Sequence, residues 1–172
     1  MNEKELEEKL VAAYDRMMAR VHALLDTAEQ QAIPTLQENI EKAKQQAVEL
    51  KELTQEEAEK VAHYLRRDLH DMATFLKESG QEFSTWFDFD IELIETRLFE
   101  LFAKVADKTQ LALTQLAVQA KLATEYHTGE ITGIGTLKCT QCGTLMHFKK
   151  TSRIPPCPKC HKTVFVRSRK KK

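Results

Sequence analysis

Four cysteines near the C-terminal end constrain the fold of this chain more than any other feature. Cys139, Cys142, Cys157 and Cys160 are its only cysteines, and they follow the pattern C-x₂-C-x₁₄-C-x₂-C. Two residues between paired thiols allow a tight turn to aim both sulfurs at one ion. Four soft thiolates suit a tetrahedral zinc ion and leave no open position for a catalytic water. The pattern therefore predicts a structural zinc ribbon.

Other uses of the four cysteines are open at this stage. Two disulfides would require an oxidising compartment. The N-terminal Met1-Asn2-Glu3-Lys4-Glu5 is charged and leads into an amphipathic pattern, which is unlike a secretory signal, so we expect a reducing, cytoplasmic location. A redox dithiol would require a C-x-x-C beside a βαβ pattern, which the sequence lacks. Iron suits the same four thiolates, so zinc and iron both remain candidates.

The charge is divided sharply along the chain. Up to Leu137 there are 15 Lys and Arg against 26 Asp and Glu, whereas Lys138 to Lys172 contain 11 basic residues and no acidic one. Four of the five glycines and three of the four prolines follow residue 128. Because Gly and Pro interrupt helices, this predicts a helical region at 1–127, a zinc ribbon at 128–166 and a basic tail at 167–172.

The first 127 residues have the apolar spacing of long helices. Thr54 and Glu57 form a capping-box pattern that predicts a helix start, and Ser79-Gly80 predicts the end of that helix. A further helix is predicted from about Ser84 to Tyr126. This spacing predicts a helical bundle or an antiparallel coiled coil. The apolar seams are only two positions wide per heptad, which favours a coiled-coil hairpin or a homodimer formed through the helices over a compact monomeric bundle. No apolar stretch approaches the ~18 residues of a membrane span.

After Gly129 the period changes to that of short strands, and we expect a small antiparallel sheet that carries the two cysteine turns. So small an all-β unit needs the metal for stability. We therefore expect metal-free protein to lose the ribbon while the helices persist. Gly143 and His161 each follow a thiol pair, where a positive φ is expected. His161 and His147 are also alternative metal ligands.

Several segments resemble the YbeL-like zinc-ribbon family of bacteria. They are Glu125-Tyr126-His127-Thr128-Gly129-Glu130, Gly133-x-Gly135-Thr136-Leu137-x-Cys139-x-x-Cys142 and Pro155-Pro156-Cys157-Pro158-Lys159-Cys160, with Leu53 to Leu69 and Asp107 to Leu111 in the helical region. The resemblance implies a helical N-terminal region, a C-terminal zinc ribbon and a soluble bacterial protein. It implies no activity, and the four cysteines are the only residues to which it assigns a role.

The basic surplus suggests binding to nucleic acid or ribonucleoprotein, because phosphates attract such a surface and release counterions. The candidate contact residues are Lys149, Lys150, Arg153, Lys159, Lys162, Arg167 and Arg169, and His147, Phe148 and Phe165 could offer stacking faces. The helices would then supply oligomerisation in a regulatory or binding module.

Alternatives to nucleic-acid binding use the same two regions. The acidic helices could attract the basic ribbon within one chain. The helices could instead recruit a protein partner, with the ribbon as a stable cap, or the cysteines could form a labile zinc or thiol redox sensor. Glu-x-x-His, phosphate-binding loops and nucleophile elbows do not occur in the sequence, so we expect neither catalysis nor a small-molecule substrate.

Overall fold

Three α-helices form the N-terminal part of the structure, a computed structural model that describes residues 1–27, 36–79, 100 and 125–168. α1 spans Glu3–Thr27, α2 spans Leu36–Glu49 and α3 spans Gln55–Ser79. Each helix packs against the other two, as expected for the bundle alternative. Among the described helices, none has the length and apolar character needed to cross a bilayer. Most of the helix predicted from Ser84 falls outside the described residues.

Two helices begin with reciprocal capping boxes. The Thr54 amide donates to Glu57 Oε2 at 2.9 Å, and the Glu57 amide donates to Thr54 Oγ1 at 3.2 Å, which confirms the predicted start of α3. Asn2 and Glu5 make the same pair of bonds at α1, at 2.9 and 2.8 Å. Each box satisfies backbone donors that have no partner within the helix.

The buried face of α1 is wider than the predicted two-position seam. Five residues on successive turns of α1 are fully buried: Ala13, Tyr14, Met17, Met18 and Val21. A face of this width is typical of a helix in contact with two neighbours rather than of a narrow coiled-coil seam. The same core includes residues of α2 and α3, so the helices bury one another within one chain.

Six short strands lie within residues 125–168 of the described chain and confirm the predicted small C-terminal β-region. They are β1 Glu125–His127, β2 Ile131–Thr132, β3 Gly135–Cys139, β4 Leu145–Phe148, β5 Ser152–Arg153 and β6 Val164–Arg167. A four-stranded antiparallel sheet has the order β1-β6-β3-β4, and β2 pairs with β5 in a second sheet. Glu125, where this described segment begins, is already paired with β6, three positions before the predicted start of the ribbon at residue 128.

The predicted last helix does not extend to Tyr126. Tyr126 lies in β1 opposite Phe165 of β6, and its side chain is fully buried. Helical periodicity could not reveal this, because the partner strand lies about forty positions further along the chain.

The two halves of the molecule share a hydrophobic core. Ile131 in β2 and Ile134 before β3 belong to the same buried cluster as the helix residues Val61 and Leu65. A second cluster lies inside the β-region and includes Tyr126, Phe165 and the cysteines. The ribbon is therefore packed on the helices.

Candidate metal centre

Two backbone turns with the same hydrogen-bond pattern carry the four cysteines. In the first turn, the Cys139 amide donates to the Thr144 carbonyl at 2.9 Å, and the Gly143 amide donates to the Cys139 carbonyl at 3.0 Å. In the second, the Cys157 amide donates to the Lys162 carbonyl and the His161 amide donates to the Cys157 carbonyl, both at 2.9 Å. The repeated C-x-x-C spacing thus produces two copies of one knuckle.

The residue after each thiol pair has a left-handed conformation. Gly143 has φ 74° and His161 has φ 60°, which confirms the prediction for both positions. Glycine adopts this region freely, and histidine does so more readily than most other residues. His161 thus has a conformational role in the second knuckle.

The four sulfurs converge on one point. All four Sγ atoms lie within 4.8 Å of one another, and the Cys139–Cys160 and Cys142–Cys157 pairs are each 3.5 Å apart. Zinc–sulfur bonds of about 2.3 Å in a tetrahedron give sulfur separations of about 3.8 Å. The cysteines are free thiols, and a disulfide would require about 2.05 Å, so the disulfide alternative is wrong. The donor set fits a tetrahedral metal ion.

Hydrogen bonds prepare two of the thiols to bind a cation. The Thr144 hydroxyl, 3.1 Å from Cys142 Sγ, and the Thr144 amide lower the pKa of Cys142 to about 6. The Cys160 amide lowers the pKa of Cys157. The Lys162 amide lowers the pKa of Cys160, but burial and the three neighbouring thiols outweigh it and raise that pKa to about 12. A divalent metal bound by the four sulfurs would supply the positive charge that favours the thiolate form of Cys160.

The two histidines named as alternative ligands are not part of the sulfur cluster. Within the described part of the chain, the metal-ligating group at this site contains the four cysteines alone. His147 Nδ1 lies 3.0 Å from the Thr136 hydroxyl across strands β3 and β4.

The basic residues proposed for nucleic-acid contact differ in how far their side chains are exposed. Lys149, Lys150, Lys159 and Lys162 are exposed. Arg153 is partly exposed and lies 2.9 Å from Glu3 and 3.6 Å from Glu7 of α1. Arg169 falls outside the described residues. Lys138, which was not among the predicted contact residues, is also exposed. We call the five exposed lysines the lysine surface: Lys138, Lys149, Lys150, Lys159 and Lys162.

Arg167, one of the predicted nucleic-acid contacts, is not accessible to nucleic acid in the folded protein. Its side chain is only 2% exposed and reaches from β6 to α3. There it lies 3.4 Å from Asp68 and 3.8 Å from Asp71. Burial lowers the pKa of Arg167, but Tyr126, Asp68 and Asp71 raise it above its usual value, so the guanidinium stays charged. Phe148 and Phe165 are also buried and cannot stack on bases, whereas His147 is exposed.

Arg167 belongs to a group of charged and phenolic side chains between the helices and the ribbon. We call Tyr14, Arg67, Asp68, Asp71, Tyr126 and Arg167 the buried ionic cluster. The Tyr14 hydroxyl donates to Asp68 Oδ2 at 2.6 Å, and the Tyr126 hydroxyl donates to Asp71. Burial, and then Asp68, raise the pKa of Tyr14 well above its usual range.

Arg67 connects α3 to the start of the ribbon. Its guanidinium lies 2.5 Å from Glu130, donates to the Ile131 carbonyl at 2.9 Å and stacks 3.8 Å from the centre of the Tyr126 ring. The sequence holds one signal for this cluster: Asp68 and Asp71 interrupt the apolar face that Leu65 and Leu69 form on α3. Charges on a buried face require partners, but the sequence does not identify the partners.

Comparisons with known proteins agree with this geometry. The sequence model of a family described as "Zinc-ribbon containing domain" matches residues 23–169. The chain is 30% identical over 128 residues to "Uncharacterized protein YbeL" of Escherichia coli strain K12, which covers 74% of this chain and 79% of that protein. The proteins of the same name from strains O6:H1 and O157:H7 match to the same extent. No solved structure matches the chain.

Proposed function

Because the chain belongs to the family described as "Zinc-ribbon containing domain", we propose that it is a non-catalytic protein whose metal-held ribbon binds nucleic acid or ribonucleoprotein through the lysine surface. The metal in this proposal is zinc, held by Cys139, Cys142, Cys157 and Cys160. Four protein thiolates complete a tetrahedral coordination shell, so the ion has a structural role. Four thiolates also suit a reducing compartment such as the cytoplasm.

One observation carries the nucleic-acid proposal: the lysines on the outside of the ribbon have no acidic neighbours in its sequence. From Ile131 to Lys172 the chain contains no Asp or Glu. Lys149 and Lys150 follow β4, while Lys159 and Lys162 lie in and beside the second knuckle. An exposed surface of one charge attracts the phosphate backbone and releases its counterions.

The kind of residue on this surface indicates the kind of binding. Arg153 and Arg167 interact with helix carboxylates, so lysines supply the outward positive charge of the described ribbon. A lysine ammonium acts as a point charge and lacks the planar pair of donors with which arginine recognises a guanine edge. We therefore propose binding that depends on phosphate charge and little on base sequence.

The helical region has a supporting role in this proposal. It holds the ribbon through the shared core and through the pairs that Arg153 and Arg167 form. We further propose that the helices form a homodimer through residues other than the apolar face of α1, because that face is covered within one chain. Mass measurement in solution tests this part separately, and a monomer at micromolar concentration would contradict it.

A salt titration with matched lysine variants tests the nucleic-acid proposal. The full-length, metal-loaded protein is titrated with a fluorescent random-sequence duplex at increasing salt. Replacing Lys149, Lys150 and Lys162 by Gln should weaken binding at every salt concentration and lower the salt slope by about one unit per lysine that contacts a phosphate. The control replaces three exposed helix lysines, Lys4, Lys42 and Lys60, by Gln. No binding at low salt, or equal losses in both variants, would contradict the proposal.

A further inference from the structure

We propose that metal binding in the ribbon controls the stability of the helical bundle through Arg167. The inference rests on the proposed metal site and is independent of nucleic-acid binding. It replaces the expectation that the helices persist unchanged when the metal is lost. That expectation treats the two halves as separate folding units, whereas they share a core and the buried ionic cluster.

The metal site and Arg167 are connected through one pair of strands. Cys139 ends β3 and lies opposite Phe165 of β6, two positions before Arg167. β6 itself follows closely after the second knuckle, which contains Cys157 and Cys160. Because the metal joins both knuckles, it fixes β3 and the start of β6 relative to each other. The position of Arg167 at the end of β6 follows from that constraint.

The ribbon has room for the Arg167 guanidinium because Gly135 has no side chain. Gly135 in β3 has φ 141°, and a Cβ built there would overlap the Arg167 guanidinium. The guanidinium donates to the Tyr126 hydroxyl at 3.0 Å and to the Thr132 hydroxyl at 3.3 Å. Residues from β1, β2 and β3 therefore surround a side chain whose charged end is directed at α3.

The helices supply carboxylates that depend on the ribbon. Asp68 is 1% exposed and Asp71 is 3% exposed. Asp68 receives the Gly133 amide at 2.7 Å and lies 3.4 Å from Arg167, so the ribbon supplies both a hydrogen bond and a charge. Asp71 receives the Tyr126 hydroxyl and lies 3.8 Å from Arg167. Among the helix residues, Tyr14 and Arg67 also contact Asp68.

Loss of the metal thus has a direct consequence for α3. Without the bound ion the ribbon is too small to keep its fold. Arg167, Tyr126 and the Gly133 amide then leave Asp68 and Asp71, and two carboxylates face an apolar core with fewer partners. Ile131 and Ile134 leave that core at the same time. A buried carboxylate without its cation favours opening of the structure around it.

The test measures the helices while the metal state is changed. Thermal unfolding of the full-length protein is followed by helical circular dichroism, with metal bound and after removal by a strong chelator. We expect chelation to lower the helical midpoint by about 10 °C. Arg167→Met, with metal bound, should produce a large part of this decrease. Chelation should lower the midpoint of this variant by less than that of the original protein, because only the loss of the other ribbon contacts, such as those of Ile131 and Ile134, remains. The surface variant Arg16→Met serves as the matched control and should respond to chelation like the original protein.

Two outcomes would overturn the proposal. One is a helical midpoint in the original protein that does not change on chelation. The other is a full chelation effect in Arg167→Met, because the metal would then act by another route. If Arg167→Met does not fold, hydrogen exchange of the original protein decides: amides of α3 around Asp68 should exchange at least about tenfold faster without metal, and equal rates would contradict the proposal.

Discussion

The ribbon has two sides on which positive charge has different surroundings. On the side that packs on the helices, Arg167 is 2% exposed and paired with Asp68, and Arg153 reaches Glu3. On the side that faces solvent, Lys149, Lys150 and Lys162 are exposed. The two arginines contact helix carboxylates, whereas the three lysines face solvent. A large positive net charge in a sequence segment therefore does not measure the charge that the folded segment offers to a ligand.

The difference between the two arginines and the lysines follows from their chemistry. A guanidinium can satisfy several acceptors at once and is more weakly hydrated than an ammonium, so it is the better group for a buried pair. The Tyr126 ring adds to this preference, because both Arg67 and Arg167 lie over it, at 3.8 and 4.7 Å from its centre. Substitutions on the two sides should accordingly have unequal effects on stability.

The largest effect is expected from loss of a metal ligand, which should disrupt both sides. Cys157→Ser leaves three thiolates, and metal affinity should fall by at least about a hundredfold, since even changes around a ligand cost 10–100-fold. Competition with a coloured metal indicator measures the affinity. Ser152→Ala, in β5 of the ribbon but outside the sulfur cluster, is the control. Unchanged affinity in Cys157→Ser would contradict the metal site.

The second effect separates the two sides of the ribbon. Asp68→Ala removes a carboxylate from between Arg167 and Arg67 and should lower the free energy of unfolding by about 3 kcal/mol. Lys150→Ala, on the lysine surface, should leave it unchanged within about 0.5 kcal/mol. Urea denaturation of the metal-loaded proteins measures both values. Equal effects would mean that the buried ionic cluster has no special role in stability.

A smaller effect is expected where the ribbon accommodates Arg167. Gly135→Ala should cost about 2 kcal/mol, because its positive φ is unfavourable for alanine and the added Cβ meets the guanidinium. Gly129→Ala provides a matched control: its φ of 95° is also positive, but a Cβ there would only reach ordinary contact with Arg153, at 3.6 Å. The loss should therefore be larger for Gly135. A smaller loss at Gly135 than at Gly129 would contradict the close fit.

The smallest effects on stability are expected from substitutions in the two knuckles. Gly143→Ala should destabilise the ribbon by about 1 kcal/mol through left-handed strain. His161→Gly should change stability by less than about 0.5 kcal/mol, because relief of that strain is offset by the greater freedom of glycine in the unfolded chain. Metal-loaded thermal unfolding distinguishes these values. A large loss in His161→Gly would show that the imidazole has a further role.

The features that the sequence predicted correctly are local ones. Both knuckles, the positive φ at Gly143 and His161, and the capping box of Thr54 and Glu57 depend on residues within a few positions of one another. Short-range geometry determines such features, so a spacing in the sequence is sufficient to recognise them.

The features that were missed depend on distant partners. β1 pairs with β6, and β5 pairs with β2. β1, β2 and β5 are each too short to have a clear alternating pattern. The prediction for Arg167 failed for a related reason. A basic residue beside a lysine-rich tail resembles its neighbours in the sequence, and only the fold brings it to Asp68 and Asp71 of α3.

The contact between the two ends of the chain has a consequence for how the protein forms during synthesis. Arg153 reaches Glu3 across 150 positions, and Thr151 donates to Asp15 across 136. The ribosome releases α1 long before these partners exist, and pairings over such distances form slowly. We expect the nascent helices to be only partly ordered at this stage. Chaperones that protect exposed apolar surface should bind them until the last cysteine has emerged.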